Sequence, residues 1–376
     1  MTAVARLSVN QFPLLIGDLL LSSEESPRQH DVYVPSVGLH TVAFPRGSGY
    51  TITGLRQKLA LIGSNLAIGW TGHRIAAQCV IEEMVAENRR NSFTLSTLFS
   101  YLNSRPNEGI NHDFALVGWL IEGERVRGFG FRSTIEFTSE TFGRVGLLGT
   151  GAEDLQDYLT AYPDIPLWNV PHPWQAFSMG LLLTGFLLRS EMKNLSSLHQ
   201  YYGGGYEIIG MDQGLFVKLD NVTFAFWEAT LIGKKVTFTL QPRILKYSYR
   251  DDVLLIRSLI FSQAVQSSLD LVANSRVDAV PPIYRNITNE EADGHQPPMN
   301  SQILCNYFLI KLPNGIRQVF SRVHHISDER EPLLSFHEDG AQVQVTLSAS
   351  QFSEICEEIG QHIDDVAGGR IVVRPI

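Results

Sequence analysis

Apolar and polar residues follow a short, strand-like period along most of this chain, and in six places the spacing lengthens to that of a helix. The run from Phe12 to Asp18 is apolar until Gly17, the shape of a strand buried on both faces, and with the residues before it predicts an opening hairpin. Lys58 to Ile62 and Leu66 to Trp70 read as two strands about a turn at Gly63, Ser64 and Asn65, because Gly and Asn supply positive φ at little cost. From Thr71 to Arg90, Ile75, Cys79, Val80 and Met84 keep helical spacing beside a charged face, and a second helix is expected over Leu95 to Leu102. Strands follow between Phe114 and Leu148. Gly149, Thr150 and Gly151 then open a helix over Ala152 to Leu159.

An apolar helix is expected over Trp174 to Met192. Its longest apolar stretch, Phe177 to Leu188, is about a dozen residues, too short for the roughly 20 that a membrane span needs. The glycines at 203, 204 and 205 break the pattern before more strands to about Tyr249, and a further helical segment is expected over Asp252 to Ala273. Pro281, Pro282, Pro297 and Pro298 flank an acidic stretch, a linker composition. The expected organisation is therefore a main domain over 1–275, with an insertion at about 22–57 carrying Pro27, Pro35 and Pro45. A linker over 276–300 and a small α+β domain over 301–376 complete it. In that last part, strands at Leu304 to Lys311 and Gln318 to Val323 meet through Pro313, Asn314 and Gly315, and a helix near Ala349 to Val366 precedes a terminal strand.

With 44% hydrophobic and 18% charged residues, a wholly disordered or coiled-coil chain is excluded. Thirty basic against 39 acidic residues give a net charge of −9, which disfavours nucleic acid and anionic membranes as partners. Cys79, Cys305 and Cys356 are odd in number and widely spread, which argues against a disulfide framework or a thiolate zinc site and points to a reducing, cytoplasmic location. Asp18 interrupts the first apolar run, so no secretory signal is read. P-loop, H-E-x-x-H and G-x-S-x-G patterns are absent, and Asp154 stands where a dinucleotide fingerprint starting at Gly149 needs its third glycine. His324 and His325 are neighbours on an expected strand, so they point to opposite faces and cannot readily share a metal with Asp328.

The informative constellation lies at the amino terminus. Removal of Met1 would leave Thr2 with a hydroxyl and a free α-amine on one residue. With a reference pKa of ~7.7 to 8.0, such an amine can take the hydroxyl proton near neutrality. A neighbouring cation holds the amine deprotonated and a carboxylate orients that cation; Lys58 and Asp18 are the candidates.

The spacings of these residues resemble those of the proteasome core subunits and the bacterial HslV peptidase, members of the N-terminal nucleophile (Ntn) hydrolases. Asp18 follows Thr2 by sixteen residues with Gly17 before it, and Gly72 follows Lys58 by fourteen, both as in that family. The resemblance implies a four-layer αββα sandwich of antiparallel sheets and a threonine peptidase or amidase working through an acyl-enzyme. In it Thr2 would be the nucleophile, Lys58 the group that lowers the amine's pKa, Asp18 its partner and Gly72 an oxyanion donor. Thr150 would supply the hydroxyl of the family's Gly-Ser-Gly turn, and Trp70 would line and narrow the specificity pocket. The chemistry requires neither metal nor organic cofactor. Peptide or amide substrates, a homo-oligomer and an ATPase or regulatory partner are the implied partners.

The family's Asp-x-Tyr-Ser-Gly-Gly segment corresponds to Gln200 through Gly205, where a carboxylate and a hydroxyl are missing, and Asp18 and Lys58 stand forty residues apart against sixteen. An inactive, proteasome-like scaffold or interaction protein is the alternative expectation.

Overall fold

The computed structural model of the chain describes residues 2–24, 32–39, 49–105, 114–161, 172–233, 235–238, 242–261, 270–288, 296–340 and 342–367. It is a mixed α and β structure of several antiparallel sheets in two compact units. The first unit holds Met1–Leu219 together with Asp252–Leu254 and Val280–Thr288, and the second the remainder.

In the first unit the opening hairpin joins β1 (Val4–Val9) to β2 (Phe12–Asp18), with Asn10 and Gln11 at φ 49° and 70° making the tight turn. These strands are the middle of a six-stranded sheet. β12 (Gly143–Leu148) and β11 (Ile135–Ser139) continue it beyond β1, and β13 (Tyr206–Asp212) and β14 (Leu215–Lys218) continue it beyond β2. A four-stranded sheet runs in the order β10 (Arg125–Phe131), β9 (Phe114–Glu122), β8 (Leu66–Gly72) and β7 (Leu59–Ile62).

Val4 and Leu15 from the first sheet meet Leu59, Ala67 and Val117 from the second in a shared core. The inner strands β2, β8 and β9 are apolar nearly throughout because helices cover their other faces. Helices α3 (Ala152–Ala161) and α4 (His172–Asn194) lie on the six-stranded sheet. On the four-stranded sheet, Ala77, Val80, Ile81 and Met84 of α1 (Arg74–Arg90) and Leu98 and Leu102 of α2 (Leu95–Asn103) pack against Ile62, Ile68 and Leu116. A capping box between Thr94 and Thr97 starts α2.

The expected insertion is represented by β3 (Leu20–Glu24), β4 (Tyr33–Val34), β5 (Gly38–Leu39) and β6 (Tyr50–Leu55). β3 pairs with β6, and Leu20, Val34 and Ile52 share an apolar cluster with Leu198 of the short helix α5 (Ser196–His199).

The second unit is built on one nine-stranded sheet. β15 (Val222–Ile232) lies between β17 (Arg243–Arg250) and β20 (Ile303–Lys311), with β16 (Lys235–Phe238) also paired to β15. β21 (Arg317–His325) extends one side; β18 (Val253–Phe261), β19 (Asp270–Val280), β23 (Gln342–Leu347) and β22 (Leu334–Asp339) extend the other. The last helix, α6 (Ala349–Ala367), presents Phe352, Ile355, Cys356, Ile359 and Ile363 to this sheet's core at helical spacing.

Two expectations change here. The segment 252–273 is not a helix, since its described residues form β18 and β19. β18 is buried on both faces inside the sheet, so it lacks the alternation that distinguishes a strand from a buried helix. Its one charge, Arg257, is fully buried, donating to the Glu338 carboxylate at 2.6 Å and to the Pro297 carbonyl at 2.9 Å. The compact units also part near Leu219 and Asp220, in addition to breaks after Ala279 and Thr288 within 276–300. Pro281, Pro282, Pro297 and Pro298 lie outside strands and helices, but β20 after them pairs in parallel with β15 before them, and one sheet spans both. The terminal strand expected after α6 lies outside the described residues.

Candidate active site

The ends of β1 and β2 meet at Thr2 and Asp18. Asp18 donates its amide to the Ala3 carbonyl at 3.0 Å, and its own carboxylate accepts the Ala3 amide at 3.0 Å. The same carboxylate takes the amides of Gly203 at 3.0 Å and Leu20 at 3.3 Å. Three fixed N–H groups therefore hold this side chain next to the backbone of Thr2.

Lys58, just before β7, crosses this point, and Gly17 is what lets it come close. A Cβ at Gly17 would stand 2.8 Å from Leu59 Cδ2 and 3.3 Å from Lys58 Cβ. Burial lowers the Lys58 ammonium to about 8 against the opposing pull of Asp18 and Glu207, and burial raises the Asp18 carboxyl to about 6 against the pull of Lys58 and its amide donors. Both groups carry charge in the neutral range, in an interior where they interact strongly.

Of the other expected site residues, Trp70 lies against Lys58, and the turn carrying Thr150 lies against the backbone of Thr2. Gly151 donates its amide to the Thr2 carbonyl at 3.1 Å, which seats the turn of Gly149, Thr150 and Gly151 on the amino-terminal strand. The Thr150 hydroxyl is exposed and donates to the Gln200 carbonyl at 2.9 Å. Trp70 has no exposed surface to offer a pocket. Its ring lies beneath the Lys58 ammonium, 4.4 Å from the ring centre, and its indole N–H donates to the Gln57 carbonyl. Gly72 ends β8, opposite Phe114 of β9. Among the described residues no cluster of three or more His, Cys, Asp or Glu is arranged to hold a metal ion, and no helix is long and apolar enough to cross a membrane.

Two buried carboxylates escaped the sequence reading. Glu191, near the end of α4, accepts the hydroxyl of Ser36, the hydroxyl of Ser197 at 3.0 Å and the amide of Gly204. At Gly203, with φ 117°, an added Cβ would fall 1.8 Å from Glu191 Oε2, so Glu191 occupies the space a serine there would need. A carboxylate and two hydroxyls thus stand around the glycine segment where Gln200 and Gly203 lack them, supplied by α4, α5 and the insertion. Glu207, on β13, is 2% exposed and accepts the Leu59 amide at 2.6 Å. Glu191 is the one acid of α4 and Glu207 the one acid in the run Tyr206 to Met211, which is the only signal the sequence carries for either.

Burial raises the Glu191 carboxyl from 4.5 to about 7. A carboxyl raised in the folded state binds its proton more tightly there than in the unfolded chain. Its contribution to stability is full below pH 4.5 and is lost as pH rises through 7. The loss corresponds to roughly 3 kcal/mol. Unfolding free energies from urea titrations between pH 4.5 and 7.5 should fall more steeply for the wild-type chain than for Glu191→Gln by about that amount, and parallel profiles would refute this role for Glu191.

No protein-family model matches this chain, and no curated protein matches its sequence.

Proposed function

We propose that this chain is an N-terminal threonine hydrolase of proteasome-like architecture, acting on peptide or amide bonds from Thr2 after Met1 is removed. The stacking of α3 and α4, the six-stranded sheet, the four-stranded sheet, and α1 and α2 supports reading the first unit as a four-layer αββα sandwich of the Ntn type. The observation that carries the functional reading is the buried pair of Asp18 and Lys58, with the carboxylate hydrogen-bonded to the amide immediately after Thr2.

In this reading the Thr2 hydroxyl attacks the substrate carbonyl and its proton passes to the α-amine. The amine is kept basic yet unprotonated by the adjacent ammonium. The tetrahedral oxyanion is met by the backbone N–H of Gly72, a kind of contact worth ~2.7 to 4 kcal/mol. Collapse gives the protonated amine's hydrogen to the leaving nitrogen and leaves an ester on Thr2. Water, deprotonated by the same amine, then hydrolyses that ester.

Thr2 and Lys58 are each only 1% exposed, and this favours the second reading, in which the sandwich is kept as a scaffold without catalysis. A panel of fluorogenic peptide amides separates the two. A chain shown by mass to begin at Thr2 should cleave at least one member near neutral pH; such a chain inert to the whole panel would favour the scaffold.

A further inference from the structure

Glu207 stands directly opposite Gly17 in the pairing of β13 with β2. Cross-strand partners project to the same face, and the Gly17 face is the one that meets Lys58 and Leu59. The Leu59 amide, donated to Glu207 Oε1 at 2.6 Å, places that carboxylate beside the residue following Lys58. The ammonium thus has an acid on each of two neighbouring strands, Asp18 on β2 and Glu207 on β13.

We propose that Glu207 is a positioning residue, a second anionic partner that, with Asp18, keeps the Lys58 ammonium in place and charged beside Thr2. The proposal rests on the hydrolase reading of this site and deepens it. An ammonium buried to this degree is close to losing its proton in the working range, and one carboxylate already shared among three amides is a limited counterweight. The groups acting on Lys58 are Asp18 and Glu207, which favour its charge, Arg56, which opposes it, and the Trp70 ring beneath it. A purely structural alternative exists, since β7 is the outer strand of its sheet and Glu207 satisfies one of its amides. Glu207→Gln separates the two roles, because the amide oxygen can still accept from Leu59 while the negative charge is gone.

The test follows the 13Cε resonance of Lys58 against pH in the full chain, assigned by its loss in Lys58→Met. In Glu207→Gln the Lys58 midpoint should fall by about one pH unit, roughly a tenfold weaker hold on the proton, and the alkaline limb of kcat should move down with it. An unmoved midpoint would overturn the proposal. Should the variant fail to fold, the wild-type chain decides. Coupled groups shift one another reciprocally, so the 13Cδ resonance of Glu207 must step where Lys58 titrates, and a flat trace there refutes the pairing. A midpoint that moves in a chain lacking Thr2-dependent hydrolysis would uphold the pairing and end the hydrolase reading. Hydrolysis that persists with Lys58 unmoved would do the reverse.

Discussion

Thr2→Ala is expected to abolish amide hydrolysis, with a loss in kcat on the order of 10⁶-fold, the scale seen when a nucleophile is removed from a unit that acts together. Thr2 would supply the attacking oxygen and, through its own amine, the proton acceptor, so no neighbouring side chain replaces the missing hydroxyl. The exposed Thr150 hydroxyl is turned to the Gln200 carbonyl, which leaves it a poor substitute. The chain should still fold, because deleting one hydroxyl and one methyl beside Asp18 leaves the carboxylate's three amide donors in place. A peptide-amide assay on the two chains checks this; residual activity within tenfold of wild type would remove Thr2 from the mechanism.

Lys58→Met carries the second large effect, a fall in kcat of ~10³-fold, within the range for loss of a positioned acid–base group. Methionine matches the lysine stem in shape and removes only the charge. Without that cation the α-amine of Thr2 regains a higher pKa and is protonated at neutrality, so the acid limb of the rate profile should move to higher pH and alkaline buffer should recover part of the loss. Asp18, its nearby positive charge gone, should bind its proton more tightly. Because breaking a buried pair on one side is costly, ~3 to 5 kcal/mol, the double variant Lys58→Met with Asp18→Asn should be more stable than Lys58→Met alone. Unchanged kcat and an unmoved acid limb in Lys58→Met would contradict the assigned role.

The strands that carry this candidate site were legible from spacing. The interval from Thr2 to Asp18 and that from Lys58 to Gly72 depend on strands and tight turns, whose lengths are set by pairing, and the structure pairs β1 with β2 and β7 with β8 as those runs suggest. The partners that come from distant elements were not legible. Glu191 reaches the glycine turn from a helix and Ser36 reaches Glu191 from an insertion, and nothing in the local pattern of either segment says what it faces. Glu207 is a lone acid in the apolar run Tyr206 to Met211, which by pattern alone reads as an ordinary exposed position. The segment 252–273 failed for a different reason: a strand buried on both faces has no periodicity of its own. Trp70 failed as a pocket residue because its position on β8 says which strand carries it and not that Lys58 lies over it.

The proposed hydrolase depends on Thr2 becoming the reactive terminus beside Asp18 and Lys58. Intact-mass analysis of the purified chain before and after reaction with a peptide carrying a carbonyl electrophile tests it most directly. The expected chain has lost Met1 and gains one adduct, mapped to Thr2 and absent from both Thr2→Ala and Lys58→Met. Retention of Met1, or an adduct that survives Thr2→Ala, would contradict it.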